Sequence, residues 1–199
     1  MSGGQISAGE ISAGEIADGR RRKGERRRRE LLAATMRVIE RDGLSAVSQR
    51  AVAQEAGTPP SAVTYYFPTV DDLLVAALTA CNDDYLDRLA ACAADADPLA
   101  RLATLIAEGS GPGRAHVAAE YELFLMAGRR PDLQAEAARW TVAVDAFLAP
   151  HVPDPVARTG VVAAVDGLFL RCFCHPAPPD AAEVRAVLAR LVDGGRDAG

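Results

Sequence analysis

The chain has 199 residues, of which 49% are apolar and 25% charged, and this balance excludes a collagen-like or wholly disordered protein. Aromatic residues make up only 5%, so an aliphatic, all-α core is expected rather than an all-β domain. Residues 1–70 carry 11 basic and 8 acidic side chains, whereas residues 71–199 carry 11 and 19, an asymmetry that predicts a polyanion-facing head and a body that repels polyanions.

The chain begins with a low-complexity segment. The pentapeptide ISAGE occurs at residues 6–10 and again at 11–15, a period far shorter than that of a solenoid repeat. The run RRRKGERRRR follows at 20–29 and is either a solvated charge run or an arm that neutralises DNA phosphates. We favour the arm and expect residues 1–23 to be a disordered basic tail.

Two helices are predicted next. Apolar residues at helical spacing place the first helix at about 25–42, and Gly43 stands where a C-capping glycine belongs. Ser48 is a natural N-cap for a short second helix at 49–56, which Gly57 ends.

A third helix follows the glycine turn and reaches about Tyr66. Thr58 is a candidate cap for it, with Pro59 or Pro60 in the first turn. Two short helices joined by a tight turn and supported by a longer one indicate a helix-turn-helix, whose second member can enter a major groove. We therefore assign residues 24–69 to a DNA-binding head.

Residues 70–199 are predicted to form a larger helical body. A stripe of apolar residues marks one long helix at 70–94 that connects the head to the body. Glycine and proline clusters separate five further helices. These lie at about 99–108, 114–127, 132–149, 155–173 and 180–192.

The last two helices carry broad apolar faces. Two copies of the chain could bury them against each other in a four-helix bundle, although a monomer could instead fold the same faces inward. We expect a homodimer through residues 155–173 and 180–192. The faces comprise Val156, Gly160, Val161, Ala164, Val165, Leu168, Phe169 and Cys172, and then Val184, Val187, Leu188, Leu191 and Val192.

Most aromatic side chains of the body fall on the helices at 114–127 and 132–149. An apolar cavity with a few polar groups at this point would hold a small ligand, although aromatic stripes at helical spacing also occur in plain cores. The candidate pocket residues are Tyr85, Glu120, Tyr121, Phe124, Trp140, Val144 and Phe169.

Catalytic and metal-binding motifs are not evident in the sequence. None of the three histidines belongs to an HExxH helix or a nucleophile elbow. Glu120 and Glu122 are two residues apart and so point to different sides of a helix. The string at 172–175, CFCH, lacks the spacing of a zinc site. We expect no enzymatic activity, no cofactor and no metal.

The sequence also predicts a cytoplasmic location without membrane contact. Asp166 interrupts the longest apolar run, residues 160–170, which is shorter than the roughly 20 residues of a membrane span. The first residues lack the apolar segment of a signal peptide. Four cysteines need no disulfide framework, and we expect them to be small buried side chains.

The segment 44–74 resembles the DNA-binding head of the TetR family of transcriptional repressors. The resemblance is carried by Ser48, Val52-Ala53, Ala56-Gly57, Val63, Tyr65-Tyr66-Phe67 and the acidic helix start Asp71-Asp72-Leu73. It implies an all-α homodimer with an N-terminal three-helix helix-turn-helix head that binds a double-stranded DNA operator. It also implies a larger helical domain for effector binding and dimerisation.

Position by position, the resemblance implies DNA contacts from the second and third helices. The residues are Ser48, Gln49, Arg50, Pro60, Ser61, Ala62, Thr64, Tyr65 and Tyr66. We expect Arg50 to contact a base, because a guanidinium can pair bidentately with guanine. The chain departs from the family in having Ser61 for a glycine, Thr64 for a tyrosine and Val70 for a phosphate-binding lysine. The arginine-rich arm is expected to compensate for that lysine.

The sequence therefore predicts a ligand-responsive repressor that binds a palindromic operator as a homodimer and is released by a small-molecule effector. Residues 70–199 would bind the effector and dimerise. The alternative is a helical dimeric adaptor or sensor that has lost sequence-specific DNA binding, and the replacements at Thr64 and Val70 keep it open.

Overall fold

The structure is a computed structural model, and it describes residues 13–130 and 133–197. These residues form nine α-helices and no β-strand, so the predicted all-α fold is confirmed. The helices are α1 (Ala13–Asp42), α2 (Gln49–Glu55), α3 (Pro60–Tyr66), α4 (Val70–Ala93), α5 (Pro98–Ala107), α6 (Arg114–Ala127), α7 (Gln134–Leu148), α8 (Pro155–Cys174) and α9 (Ala181–Asp197). Single 3₁₀ turns at Leu44–Ala46 and Glu108–Ser110 follow α1 and α5.

Helix α1 begins at Ala13 rather than near the predicted position 25, so residues 13–23 are helical and not a disordered tail. The rest of that predicted tail, residues 1–12, lies outside the described residues. Ion pairs one turn apart stabilise the start of the helix, as in Asp18–Arg22 and Arg21–Glu25. The sequence prediction of a disordered basic tail did not take account of these i,i+4 ion pairs.

The turn between α2 and α3 has the backbone geometry of a helix-turn-helix. Ser48 caps α2 as predicted, since its Oγ accepts from the backbone N–H of Ala51 at 3.1 Å. Gly57 ends α2 with a φ of 60°, a region that favours glycine. Thr58 does not cap α3: its N–H donates to the carbonyl of Ala53 at 2.9 Å and closes α2 instead. Pro59 holds the N-cap position of α3 without a side-chain hydrogen bond.

The head shares its apolar core with part of the body. Side chains from α1, α2, α3 and the first half of α4 pack together with Leu123 and Ala127 of α6. Phe67 is 2% exposed in this core, where it packs the end of α3 against its neighbours. The guanidinium of Arg28 lies over its ring, 5.3 Å from the centroid. Helix α6 is therefore built into the base of the head.

A second core holds the body together and involves the second half of α4 with α5, α7, α8 and α9. Cys92 and Cys172 are buried in it, and Cys81 is buried in the head core, whereas Cys174 is exposed, contrary to expectation. None of the helices in the described part of the chain is long and apolar enough to span a membrane.

The apolar face predicted for α8 is divided between two environments. Val161, Val165 and Phe169 of that predicted face lie in the body core, so its assignment to an interface was wrong for them. Another row, spaced alternately by four and three residues, is exposed. It comprises Val156, Gly160, Ala163, Gly167, Leu170 and Cys174. Val187 and Leu191 are exposed in the same way on α9.

Candidate DNA-binding surface and ligand pocket

The surface of α3 presents the residues that the sequence analysis assigned to DNA. Pro60, Ser61, Thr64 and Tyr65 are exposed, and Ala62 and Tyr66 are half-buried. Tyr65 is 80% exposed, and its ring packs edge-on against that of Tyr66 with the centroids 5.0 Å apart. A large aromatic side chain so open to solvent is available to contact a partner.

The side chain of Gln49, which was predicted to contact DNA, forms hydrogen bonds within the head. Its Nε2 donates to the carbonyls of Phe67 and Pro68, each at 2.8 Å. Its Oε1 accepts from the hydroxyl of Thr64 at 3.4 Å. These bonds fasten the start of α2 to the end of α3, so the side chain of Gln49 fixes the angle between the two helices.

Arg50 is exposed at the start of α2. It forms no ion pair with any residue in the described ranges 13–130 and 133–197. By contrast, Arg37 and Arg41 of α1 both bind Glu55 of α2 at 2.7 Å. The head thus uses two arginines to join its helices and leaves the guanidinium of Arg50 available for an external anion.

The basic start of α1 lies beside α3. A groove between them is lined by Arg20, Lys23, Gly24, Arg26, Arg27, Glu30, Ala62, Tyr65 and Tyr66. Helical structure fixes the basic side chains on the same side of the head as the exposed tyrosines. The positive charge seen in the sequence therefore lies next to α3, the helix predicted to enter the major groove of DNA.

A cavity of about 240 Å³ lies in the body between α4, α6, α7 and α8. It is lined by Tyr85, Glu120, Tyr121, Phe124, Leu125, Ala137, Trp140, Thr141, Asp166 and Phe169. The rings of Tyr85, Trp140 and Phe169 form a cluster with centroids 5.4 to 5.8 Å apart. Leu125 is 70% exposed, which marks an opening to solvent.

Two carboxylates lie within this aromatic lining. Glu120 is 4% exposed, and its Oε2 accepts from the hydroxyl of Tyr85 at 2.8 Å. Asp166 accepts from the indole N–H of Trp140 at 2.9 Å. Burial raises the pKa of Asp166, and the bond from Trp140 opposes that rise only in part. The cavity therefore joins flat apolar surfaces to one buried carboxylate, Glu120, and one half-buried carboxylate, Asp166.

Six of the seven predicted pocket residues line this cavity, and Val144 does not. Val144 is fully buried in the body core, because its position on α7 directs it inward. The sequence analysis missed Asp166 as a pocket residue. Its signal was a single carboxylate within the apolar stretch 160–170, which had been used only to argue against a membrane span.

Helix α6 connects the cavity to the head through polar contacts. His116 lies between two carboxylates, with Nε2 3.2 Å from Glu120 and Nδ1 2.5 Å from Glu40 of α1. The hydrogen bond with Glu120, assisted by that with Glu40, raises the pKa of His116 to about 9 although burial opposes it. The imidazolium is therefore the main form at neutral pH. Glu122 points away from the cavity and accepts from the N–H of Leu44 at 2.7 Å.

A helix-turn-helix head with a basic flank, joined by α4 and α6 to a body with a solvent-open aromatic cavity, defines a DNA-binding regulator with a ligand chamber. Comparison with protein families supports this class in both parts. Residues 31–77 match the bacterial regulatory proteins of the tetR family, and residues 93–194 match the tetracyclin repressor-like C-terminal domain. The chain belongs to the TetR family, whose members are transcriptional regulators.

Solved structures with similar folds come from the same family. The multidrug binding protein EbrR in complex with ethidium is 40% identical, with a TM-score of 0.68, and the match covers 83% of this chain and 97% of that one. EbrR with malachite green is 39% identical, with a TM-score of 0.69 and the same coverage. SCO1917 from Streptomyces coelicolor A3, a member of the TetR family, is 39% identical, with a TM-score of 0.72 and the same coverage. No curated protein sequence matches the chain.

Proposed function

We propose that the chain is a transcriptional repressor that binds a palindromic operator as a homodimer and is released by a lipophilic organic cation. Residues 24–69 form the DNA-binding head, and residues 70–199 bind the effector and dimerise. The observation that carries the effector class is the pair of carboxylates, Glu120 and Asp166, inside a cavity lined mainly by aromatic side chains.

The cavity lining favours a flat cation over a neutral or anionic ligand. A cation gains attraction from the faces of Trp140, Tyr85 and Phe169 as well as from the carboxylates. An anion would be repelled by the two carboxylates of the lining, Glu120 and Asp166. The relative EbrR, which is 40% identical over the matched 83% of this chain, has been crystallised with ethidium and with malachite green. Both are aromatic cations.

The cavity is small for a flat aromatic cation. Ligand pockets commonly have volumes of roughly 300 to 1,000 Å³, and the cavity measures about 240 Å³. A three-ring dye would therefore have to displace the walls, and α6 forms one of them. Movement of α6 is the step through which we propose that binding reaches the head, because its Leu123 and Ala127 pack in the head core.

The DNA-binding part of the proposal rests on α3 and its neighbours. A helix that exposes Ser61, Thr64 and Tyr65 can lie in the major groove while Arg50 reaches a base edge from α2. The basic residues of α1 at 20–29 then face the phosphates that flank the groove. The acidic body is kept away from the duplex by its own charge.

The dimer interface that we propose uses the exposed row on α8 together with Val187 and Leu191 of α9. Three consecutive small residues of this row, Gly160, Ala163 and Gly167, stand between the larger Val156 and Leu170, which suits close helix packing across a twofold axis. Val156 is 79% exposed and Leu170 is 47% exposed in the single chain. Burial of these side chains in a partner would remove a contiguous apolar patch from water.

The pocket carboxylates are tested by dye binding. We expect Asp166→Asn and Glu120→Gln each to weaken ethidium binding by about 1–3 kcal/mol, because each removes a negative charge that the cation would meet. Glu122→Gln is the matched control, since that carboxylate lies on the same helix and faces Leu44. The measurement is a fluorescence titration of the purified protein. Equal affinity in all four proteins would contradict the cation pocket.

Base readout is tested with Arg50→Ala. We expect a loss of about 1–3 kcal/mol of operator affinity and relaxed specificity at one base pair. The operator is a duplex recovered by selection from random sequence, and Arg101→Ala on α5 in the body is the control. Unchanged binding by Arg50→Ala would remove Arg50 from the readout. If the parent protein prefers no duplex at all, the adaptor alternative gains support.

The basic start of α1 is tested by deletion of residues 1–24. We expect weaker binding to every duplex, specific or not, with a shallower dependence of log affinity on log salt, since fewer phosphates are neutralised. Deletion of residues 1–12 keeps all the basic residues and serves as the control. The proposed arm contact is wrong if the longer deletion leaves both the affinity and the salt slope as they were.

The dimer is tested with Gly167→Glu. A Cβ at this position has no atom within 4 Å in the protomer, so the single chain should fold. A carboxylate buried at a twofold interface would repel its copy, and we expect a monomer with unchanged helix content and no operator binding. Val142→Glu, at an exposed residue of α7, should remain dimeric. Sedimentation velocity distinguishes the two states, and a dimeric Gly167→Glu protein would exclude this interface.

A further inference from the structure

We propose that His116 reports the charge of the effector to the DNA-binding head, by linking the pocket carboxylate Glu120 to Glu40 of α1. The inference rests on the proposed function and adds a mechanism of regulation to it. A cation beside Glu120 competes with His116 for that carboxylate and repels the imidazolium, so the contact between His116 and Glu40, one of the links between α6 and α1, weakens.

The contacts form an unbroken path between the two sites. The hydroxyl of Tyr85 on α4 donates to Glu120 at 2.8 Å, and the other oxygen of Glu120 lies 3.2 Å from Nε2 of His116. Nδ1 of His116 lies 2.5 Å from Glu40, near the end of α1. Glu120 lines the ligand cavity, so the path runs from the effector to the head through two side chains of α6 that lie one turn apart, Glu120 and His116.

The end of α1 leads into α2 and α3, the two helices of the helix-turn-helix, and so positions them. Glu40 lies three residues before Gly43, which has a φ of 81° and is followed by the 3₁₀ turn Leu44–Ala46 that leads into α2. Glu122 holds the same turn through the N–H of Leu44. Helix α6 thus contacts the junction between α1 and α2 through two side chains, His116 and Glu122. Of these, His116 also contacts the pocket carboxylate Glu120.

The charges around His116 make the contact sensitive to the effector. His116 faces Glu40 and Arg29 from α1, Asp84 and Cys81 from α4, and Glu120 from its own helix. Within this group Glu120 is the most deeply buried carboxylate, and His116 is the cation in direct contact with it. A ligand cation beside Glu120 offsets that negative charge and repels the imidazolium, so the attraction that fixes His116 weakens.

The path also predicts a proton linkage. His116 has a pKa of about 9 in the free protein, and a nearby cation must lower it. Binding of the effector therefore releases a proton in the interval between the lowered pKa and about 9. Over that interval the affinity for the cation rises with pH, since the competing imidazolium disappears, and above it the affinity becomes constant.

The first test measures the coupling between the sites. Ethidium is titrated into the dimer with and without the selected operator duplex, and the ratio of the two dissociation constants gives the coupling factor. We expect His116→Gln to reduce this factor by about fivefold or more relative to the parent. Glu40→Gln, at the head end of the path and outside the pocket, should do the same if the path acts as proposed. His175→Gln, between α8 and α9, is the matched control.

The second test detects a change that a purely structural role for His116 would not produce. Calorimetric titration of ethidium near pH 8, in two buffers with different ionisation enthalpies, measures the protons released on binding. We expect fractional proton release in the parent and in His175→Gln, and none in His116→Gln. This readout does not require the operator, so it separates the pocket from the head.

The outcomes distinguish this inference from the proposed function. A parent protein that binds no ethidium, or whose operator affinity is unaffected by ethidium, overturns the proposed function and the relay with it. If the parent protein binds ethidium and its operator affinity changes with ethidium, either of two results overturns the relay alone. One is a coupling factor unchanged in both His116→Gln and Glu40→Gln, and the other is proton release that persists in His116→Gln.

Discussion

A carboxylate withdrawn from water must be balanced by donors or by a cation close to it, and Glu120 is the group on which this requirement falls. Its partners come from different parts of the fold, with Tyr85 on α4 and His116 on α6. Because His116 also contacts Glu40 of α1, the solvation of one buried charge joins the cavity to the head. A change in the groups around Glu120 would therefore affect both the cavity and the head.

Helix α6 has this position because it belongs to two environments. Its apolar residues Leu123 and Ala127 pack in the core of the head, whereas Tyr121 and Phe124 line the cavity in the body. A close-packed interior does not deform smoothly. This position is the basis of the proposal that a ligand which enlarges the cavity of about 240 Å³ would move α6 as a unit, and the head with it.

Basic residues are in excess in the head and acidic residues in the body, and this division supports the proposed orientation of the protein on DNA. The basic residues at 20–29 lie on a helix beside α3, and the excess of acidic residues lies in the body. The ion pairs from Arg37 and Arg41 to Glu55 use other arginines to join α1 to α2. Arginine thus assembles the head in one place and, in the proposed complex, faces the DNA phosphates in another.

The amino-acid sequence by itself determined the all-α class, the turn at Gly57 and the bounds of α6, because helical periodicity and capping are local properties. It also located most of the pocket, since the aromatic residues cluster on two predicted helices. Only the tertiary structure decided that Val161 turns inward while Gly160 and Gly167 remain open, since both faces of α8 are apolar. Only the tertiary structure brought His116 to Glu40, 76 residues away, because a contact between distant segments depends on how the helices pack.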